Sequence, residues 1–367
     1  MSALFLPTFS LCICTRNRPE DLRRALASVR ASTMPVHQLI VSDDSTDYAT
    51  RDMMRDEFPD VTYLEGPRRG LCANRNRALS AATGTHVLFI DDDATLGETF
   101  LQQMAERIAD DHVRHASAGV EPGRLILTGV EVCNGERVRP HKGAFLGFQQ
   151  HNYACGERMY SIVINSTVFP RDLFARIAFD EQLVYGYDEI DLASRAVFGH
   201  GFRIEWLPSA ANQHFPSPAN RDYYRPFKEA SRLYTTFKRY WWSQRQPAKA
   251  ALFMAVAVPH NLLHNLRAQG WRGAAASWRT TRLACGYIRQ HARGQGTTGT
   301  VGIPPSALAA ARDAVPAPAS APVTVAAVGP AAAAVTAVAG LAEASADCVA
   351  APATGIAPDA AGLHAMK

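Results

Sequence analysis

The chain has 367 residues, 47% of them hydrophobic and 9% aromatic, which is enough for a real core and long enough for two domains or one with appendages. Its net charge of +4 is unevenly spread: residues 1–229 hold 25 Lys and Arg against 30 Asp and Glu, residues 230–293 hold 11 against none, and residues 294–367 hold 2 against 4. The cysteines, at 12, 14, 72, 133, 155, 285 and 348, form no CxxC pair, and MSALFLPTFSLCIC lacks the basic start and cleavage site of a signal peptide, so a secreted disulfide scaffold is not expected and a reduced, cytoplasmic protein is.

Residues 9–15, FSLCICT, predict a first strand, and TRNRP ends it before a helix whose Pro19, Glu20 and Asp21 suit a first turn. Leu22, Ala25, Leu26 and Val29 then recur at helical spacing. Residues 38–42, QLIVS, predict a second strand that runs into Asp43, Asp44, Ser45 and Thr46. Residues 61–64, VTYL, predict a third, and GPRRG leads from it to a helix over LCANRNRALSAA. The fourth, HVLFI, shows no alternation, the pattern of a strand covered on both faces. It stops at Asp91, Asp92 and Asp93. This alternation of strand and helix predicts a doubly wound, mostly parallel α/β sheet, whose carboxyl edge is where ligands bind. Neither GxGxxG nor a P-loop is present, so no dinucleotide or P-loop phosphate cradle is expected. Asp91 and Asp93, two apart in an extended segment, point to one side and can share a divalent cation.

Beyond a helix near 97–110, residues 125–132 (LILTGVEV) and 161–165 (SIVIN) predict strands, separated by a stretch over 133–160 without a clear period. Leu192, Arg195, Ala196 and Phe198 fall on a helix opened by Asp188, Glu189 and Asp191. FRIEWL then predicts a short strand, with His214 just beyond it.

Taken in order, CTRNRP, VSDDSTD, GLCANRNRAL, FIDDDA, FDE, GYDEIDL and a downstream histidine resemble the family 2 inverting glycosyltransferases over about residues 9–215. The resemblance implies a GT-A fold and transfer of a sugar from a UDP- or dTDP-linked donor to a hydroxyl of a glycan or lipid-linked acceptor, with inversion. It puts Thr15 and Asp44 in the base pocket, Asp44 accepting a hydrogen bond from a uracil or thymine imide. Arg75 and Asn76 fall near the nucleotide or the edge formed by Asp91 to Asp93, and Asp92 near the ribose or sugar. Asp91 and Asp93 take the place of a DxD pair holding Mn or Mg, with His214 completing the metal shell or touching the diphosphate. Asp188 and Glu189 stand where the family has Glu-Asp, which makes Glu189 the first choice for the catalytic base and Asp188 the second. Two other readings stay open. DDDATL fits the DxDxT pattern of haloacid-dehalogenase-like phosphatases, with Asp91 as nucleophile and Asp93 as acid, although that motif normally opens the chain. A non-catalytic nucleotide-sugar-binding protein on the same fold is expected to lose the metal or base carboxylates, and both remain here.

These readings divide the chain into a catalytic domain over 1–225, a basic aromatic helical segment over 226–293 and an Ala/Pro-rich tail over 294–367, expected to be disordered. The apolar run over 250–258 falls short of the roughly 20 residues of a spanning helix, and Pro259 is expected to break it. Tyr240, Trp241, Trp242, Trp271 and Trp278, interleaved with Arg and Lys, suit either a helix resting on anionic lipid or a solvated cap on the catalytic domain. The expected location is cytoplasmic and peripheral, on the inner face of the cell membrane. No nucleic-acid partner is expected, because the main domain is acidic and carries no such motif.

Overall fold

The computed structural model describes residues 5–118, 123–216 and 221–294. They all fall within the first of two compact units, Met1–Val315, and the tail, apart from Gly294, lies outside the described residues.

The first half follows the alternation in the sequence. Strands β1 (Phe9–Thr15), β2 (Gln38–Asp43), β3 (Thr62–Glu65) and β4 (His86–Asp91) are linked by helices α1 (Pro19–Arg30), α2 (Ala49–Glu57) and α3 (Leu71–Leu79). They pair in the order β3-β2-β1-β4, all parallel. Their side chains alternate between two cores, as the pleat requires. Cys12, Ile40, Val87 and Phe89 enter one layer, while Leu11, Ile13, Val41, Leu88 and Ile90 enter the other with Leu22, Ala25, Leu26 and Val29 of α1. Covering on both faces explains why β1 and β4 read as largely apolar runs without alternation.

The second half is mixed. After β5 (Ala94–Thr95) and α4 (Phe100–Ser117) come β6 (Leu125–Cys133), β7 (Glu136–Val138), and a small hairpin of β8 (Lys142–Gly143) and β9 (Gln149–His151). Then follow β10 (Thr167–Pro170), α5 (Asp188–Ser194) and β11 (Arg203–His214). β10 lies antiparallel between β4 and β6, and β11 runs parallel to β6. The sheet as a whole is mostly parallel, with helices on both faces.

Three local expectations need correction. Residues 161–165 form no strand; Ile164–Ser166 is a 3₁₀ turn and pairing starts at Thr167. Side chains take the place of a ladder there: Thr128 Oγ1 accepts from the Val163 N–H (3.1 Å) and Ser166 Oγ donates to the Val130 carbonyl (2.8 Å). The strand expected at FRIEWL runs on to His214, so the histidine is its last residue rather than beyond it. A register shift between Trp206 and Ala211 absorbs Pro208, which could not donate to a regular ladder. Finally, Pro259 does not break its helix.

That helix is α7 (Pro247–Gln269), which lies between α6 (Arg221–Lys238) and α8 (Trp271–Ala292). Phe253, Ala257 and Asn261 are buried on either side of Pro259, while Pro259 itself faces solvent, where its missing N–H is least costly. Between α6 and α7 the chain makes a π-helical turn over Arg239–Ser243. Ala230, Leu233, Tyr234, Tyr240, Ala250, Phe253, Ala284 and Tyr287 enter the same core layer as Cys12, Val87 and Phe89. The basic segment therefore caps one face of the sheet.

Candidate active site

Apolar residues carry β4 through the sheet, and the first side chains released at its carboxyl end are Asp91, Asp92 and Asp93. Each is met by a cation or a hydroxyl. Arg18, at the start of α1, donates through Nη1 to Asp92 Oδ1 (3.1 Å) and Asp93 Oδ2 (3.0 Å). Thr15, the last residue of β1, donates through Oγ1 to Asp92 Oδ2 (2.8 Å). His214, at the end of β11, lies with Nε2 3.3 Å from Asp93 Oδ1 and Nδ1 2.9 Å from Glu131 Oε2. Asp91 is held through its N–H by Asn165 Oδ1 (2.8 Å).

The second acidic group arrives on α5. Gly186 and Tyr187 both have positive φ (74° and 64°), and for a tyrosine this left-handed conformation is strained. The kink turns Asp188 inward, where it ion-pairs with Nη1 of Arg75. The other Nη of Arg75 donates to Asp91 Oδ1 at 2.8 Å. One buried guanidinium thus joins the end of β4 to the start of α5, and Glu189 sits beside that junction. The fork of arginine suits two carboxylates at once, which a lysine could not hold in this geometry.

Electrostatics separate the carboxyl groups. Burial, with the Asp188 charge beside it, pushes Glu189 up to about 8. Burial also raises Asp92, to about 7, against the pull of Arg18 and Thr15. Asp93 goes the other way: burial opposes its ionisation, but His214 and Arg18 bring it below the usual carboxylate range. For His214, burial works against the charged form, yet Asp93 and Glu131 together lift it to about 10.

Asp91, Asp93 and His214 offer ligand atoms within 4.8 Å of one another. Two carboxylate oxygens and an imidazole suit Mn²⁺ or Mg²⁺, and Glu131 behind His214 is the outer partner that a ligating histidine ordinarily has. The residues fit the ion.

Of the residues singled out from sequence, Thr15, Arg75, Asp91, Asp92, Asp93, Asp188 and His214 are linked by these contacts. Asp44 is next to them, its N–H donating to the Thr15 carbonyl (3.0 Å) and its Oδ1 accepting from the Arg68 N–H (2.7 Å). Asn76 does not join the group. Its amide is used by Phe179, through both N–H and carbonyl, and by Glu181, so it tethers the loop before α5. Arg18, Glu131 and Asn165 were not foreseen. Arg18 lies inside the TRNRP motif, and only its position just past the first strand hinted at it.

A buried ion cluster backs the acid pair. Lys238 of α6 donates to Asp180 Oδ2 (2.6 Å) and lies 2.9 Å from Asp191 Oδ1. Arg195 Nε donates to Asp191 Oδ2 (2.8 Å), and Tyr234 Oη to Asp180 Oδ2 (2.6 Å). A lysine of the basic segment is therefore one of the groups that hold α5, and with it Asp188 and Glu189, against the sheet.

Residues 10–125 match Glycosyl transferase family 2. The succinoglycan biosynthesis protein ExoM of Rhizobium meliloti is 32% identical over 101 residues, 26% of this chain and 32% of its own length. The GalNAc(5)-diNAcBac-PP-undecaprenol beta-1,3-glucosyltransferase of Campylobacter jejuni is 30% identical over 100 residues, 25% of this chain and 31% of its own. The chain thus matches about a third of the length of these curated relatives. A crystal structure of GalNAc-T7 with UDP, GalNAc and Mn2+ superposes with a TM-score of 0.53 at 12% identity, covering 68% of this chain and 50% of that one, a likeness of fold alone. The fold is of the GT-A type. The family match favours the transferase over the phosphatase reading of DDDATL.

Proposed function

We propose, from the premise that residues 10–125 belong to glycosyl transferase family 2, that this chain is an inverting, metal-dependent glycosyltransferase using a UDP- or dTDP-linked sugar. The observation that carries the reading is the Arg75 bridge. It joins a carboxylate of the metal-ligand group, Asp91, to one of the acid pair on α5, Asp188, so donor-side and acceptor-side chemistry share one edge of the sheet.

Asp91, Asp93 and His214 would hold the divalent ion, and Thr15 and Asp44 would face the base. A bound ion supplies a Lewis acid for the departing diphosphate. Arg18 is partly exposed and contacts both Asp92 and Asp93, so it can turn toward a phosphate oxygen. Asp188 is neutralised by Arg75, whereas Glu189 keeps the high proton affinity that a base needs. Glu189 removes the proton of the acceptor hydroxyl. The oxygen attacks the anomeric carbon opposite the nucleotide, the bond to the diphosphate oxygen breaks, and the configuration inverts.

The acceptor is a glycan or a lipid-linked one, as the name of the Campylobacter relative suggests by analogy. Among the described residues no helix is long and apolar enough to cross a membrane. The outer face of α7 and α8 exposes Leu252, Val256, Leu263, Trp271 and Trp278 beside Arg267, Arg272, Arg279 and Arg282. This mixture favours peripheral binding to an anionic membrane surface.

Thermal shift with a panel of nucleoside diphosphates, with and without Mn²⁺, tests the donor. Stabilisation by UDP or dTDP that needs the metal is expected, and stabilisation by beryllium fluoride without a nucleotide effect would return the phosphatase. The anomeric configuration of the product, read by NMR, tests inversion.

A further inference from the structure

A second cavity, of about 340 Å³, opens where the β8 strand meets the turn between α6 and α7. None of its lining residues belongs to the carboxylate site. Its walls carry Lys142, Arg239 and Lys249 with the rings of Tyr160 and Tyr240, and no acidic side chain lines it.

Arg239 is the unusual member. It is only 4% exposed, yet among the described residues no carboxylate pairs with it. Its Nη2 donates to the hydroxyl of Tyr240 (3.2 Å), and its guanidinium lies 4.9 Å from the ring centres of Tyr160 and Tyr240. Its buried Nε has no partner at all. Lys238, one residue earlier and as deeply buried, has two carboxylates. A buried charge without a counter-ion is costly, and a native structure keeps one only where something else repays it, such as a ligand.

The surroundings point the same way. Arg239 opens a π-helical turn, a distortion that occurs frequently, though not only, at functional sites. Gly143 leaves room beside the guanidinium: a Cβ there would lie 3.1 Å from Arg239 Nη1. Lys249 stands in the first turn of α7, where a cation opposes the helix dipole and no acid relieves it. Its Nζ lies 4.4 Å from the Tyr240 ring centre, and partial burial and the Arg239 charge both lower its proton affinity. Lys142 is shared with Glu157 at the rim, so it contributes less than a full charge. Gln244, half-buried, adds an amide whose buried oxygen is unpaired, and an amide can be turned to donate.

We infer that this cavity binds an oxyanion, a phosphate or a sugar carboxylate, gripped by the Arg239 fork with Lys249 beside it and carried on a saccharide that rests against Tyr160 and Tyr240. The site is separate from the transferase reading and stands or falls without it.

The test is thermal shift and calorimetry on the full chain with inorganic phosphate and with glucuronate, at ionic strength matched by chloride. The expected result is saturable stabilisation by at least one of the two, and which one decides between phosphate and carboxylate. Arg239→Met should weaken that affinity roughly tenfold or more, while melting without the anion at or above the wild-type temperature, because a buried uncompensated charge has been removed. Lys249→Gln, at an exposed position, should weaken it by a smaller factor and decides the matter if Arg239→Met does not fold. No stabilisation beyond chloride overturns the site. So does a response that survives in the variants, since the anion would then be bound elsewhere.

Discussion

At the edge of the sheet, acids are crowded together and five of them have found a cation, while Asp44 and Glu189 have not: Asp92 and Asp93 share Arg18, Asp91 and Asp188 share Arg75, and Glu131 and Asp93 share His214. On the basic helices the reverse pressure exists, and it is resolved unevenly. Lys238 reaches across to Asp180 and Asp191, while Arg239, its neighbour in sequence, has only two aromatic rings and a phenol. Buried charge in a protein is either paired by the fold or left for a ligand to pair. The acidic region is paired in a way that a metal and a diphosphate can take over. The basic region pairs one cation to hold α5 in place and leaves the next unpaired.

The sharpest way to break this comparison is at Glu189. Glu189→Gln should lower turnover roughly a hundredfold or more while leaving UDP affinity unchanged, because a general base acts only on the reacting proton. In the wild type, kcat/KM should rise with pH through about 8, since the base must be deprotonated and burial has raised it there. The variant should lack that limb. The linkage sign is also defined. A carboxyl whose folded pKa is raised binds its proton more tightly folded than unfolded, so its contribution is present at low pH and lost as pH rises toward 8. Glu189→Gln should therefore resist urea better than the wild type above pH 8, and a lower midpoint there would contradict the burial argument. If Asp188→Asn shows the activity loss and Glu189→Gln does not, the base is Asp188.

Next comes the paired lysine. Lys238→Met leaves Asp180 and Asp191 without their shared ammonium, which should destabilise the fold by about 3–5 kcal/mol, read from urea midpoints. Arg239→Met, at the next position, should show no such loss. Equal destabilisation by the two would erase the difference between them.

A smaller effect is expected at the exposed face. Replacing Arg267, Arg272, Arg279 and Arg282 by Gln should reduce sedimentation with anionic vesicles severalfold at low salt, leaving UDP binding intact, because electrostatic adsorption is screened within a Debye length of about 8 Å. Sedimentation that ignores both salt and lipid charge would remove the electrostatic part of the membrane reading. The most diagnostic effect concerns His214. It must lose its proton to bind Mn²⁺, and its neighbours hold that proton up to about 10, so Mn²⁺ affinity should rise roughly tenfold per pH unit below that value. His214→Gln should flatten the slope, and an unchanged slope would take His214 out of the metal shell.

The sequence by itself determined the sheet and its edge. The apolar run at 86–90 read as a strand covered on both faces, and the acids that follow it emerge at its carboxyl end. The clustering of Asp188, Glu189 and Asp191 on one helix start was legible for the same reason: local spacing sets local geometry. Only the tertiary structure decided what each charge meets. Arg75 joins residues 91 and 188, Glu131 lies behind His214, and Lys238 rather than Arg239 finds the carboxylates of Asp180 and Asp191. No periodicity encodes such pairs. They depend on which loops cross the sheet edge and how α6 is rotated on its face, and a turn of about 100° per residue is enough to give one of two adjacent cations a partner and the other none.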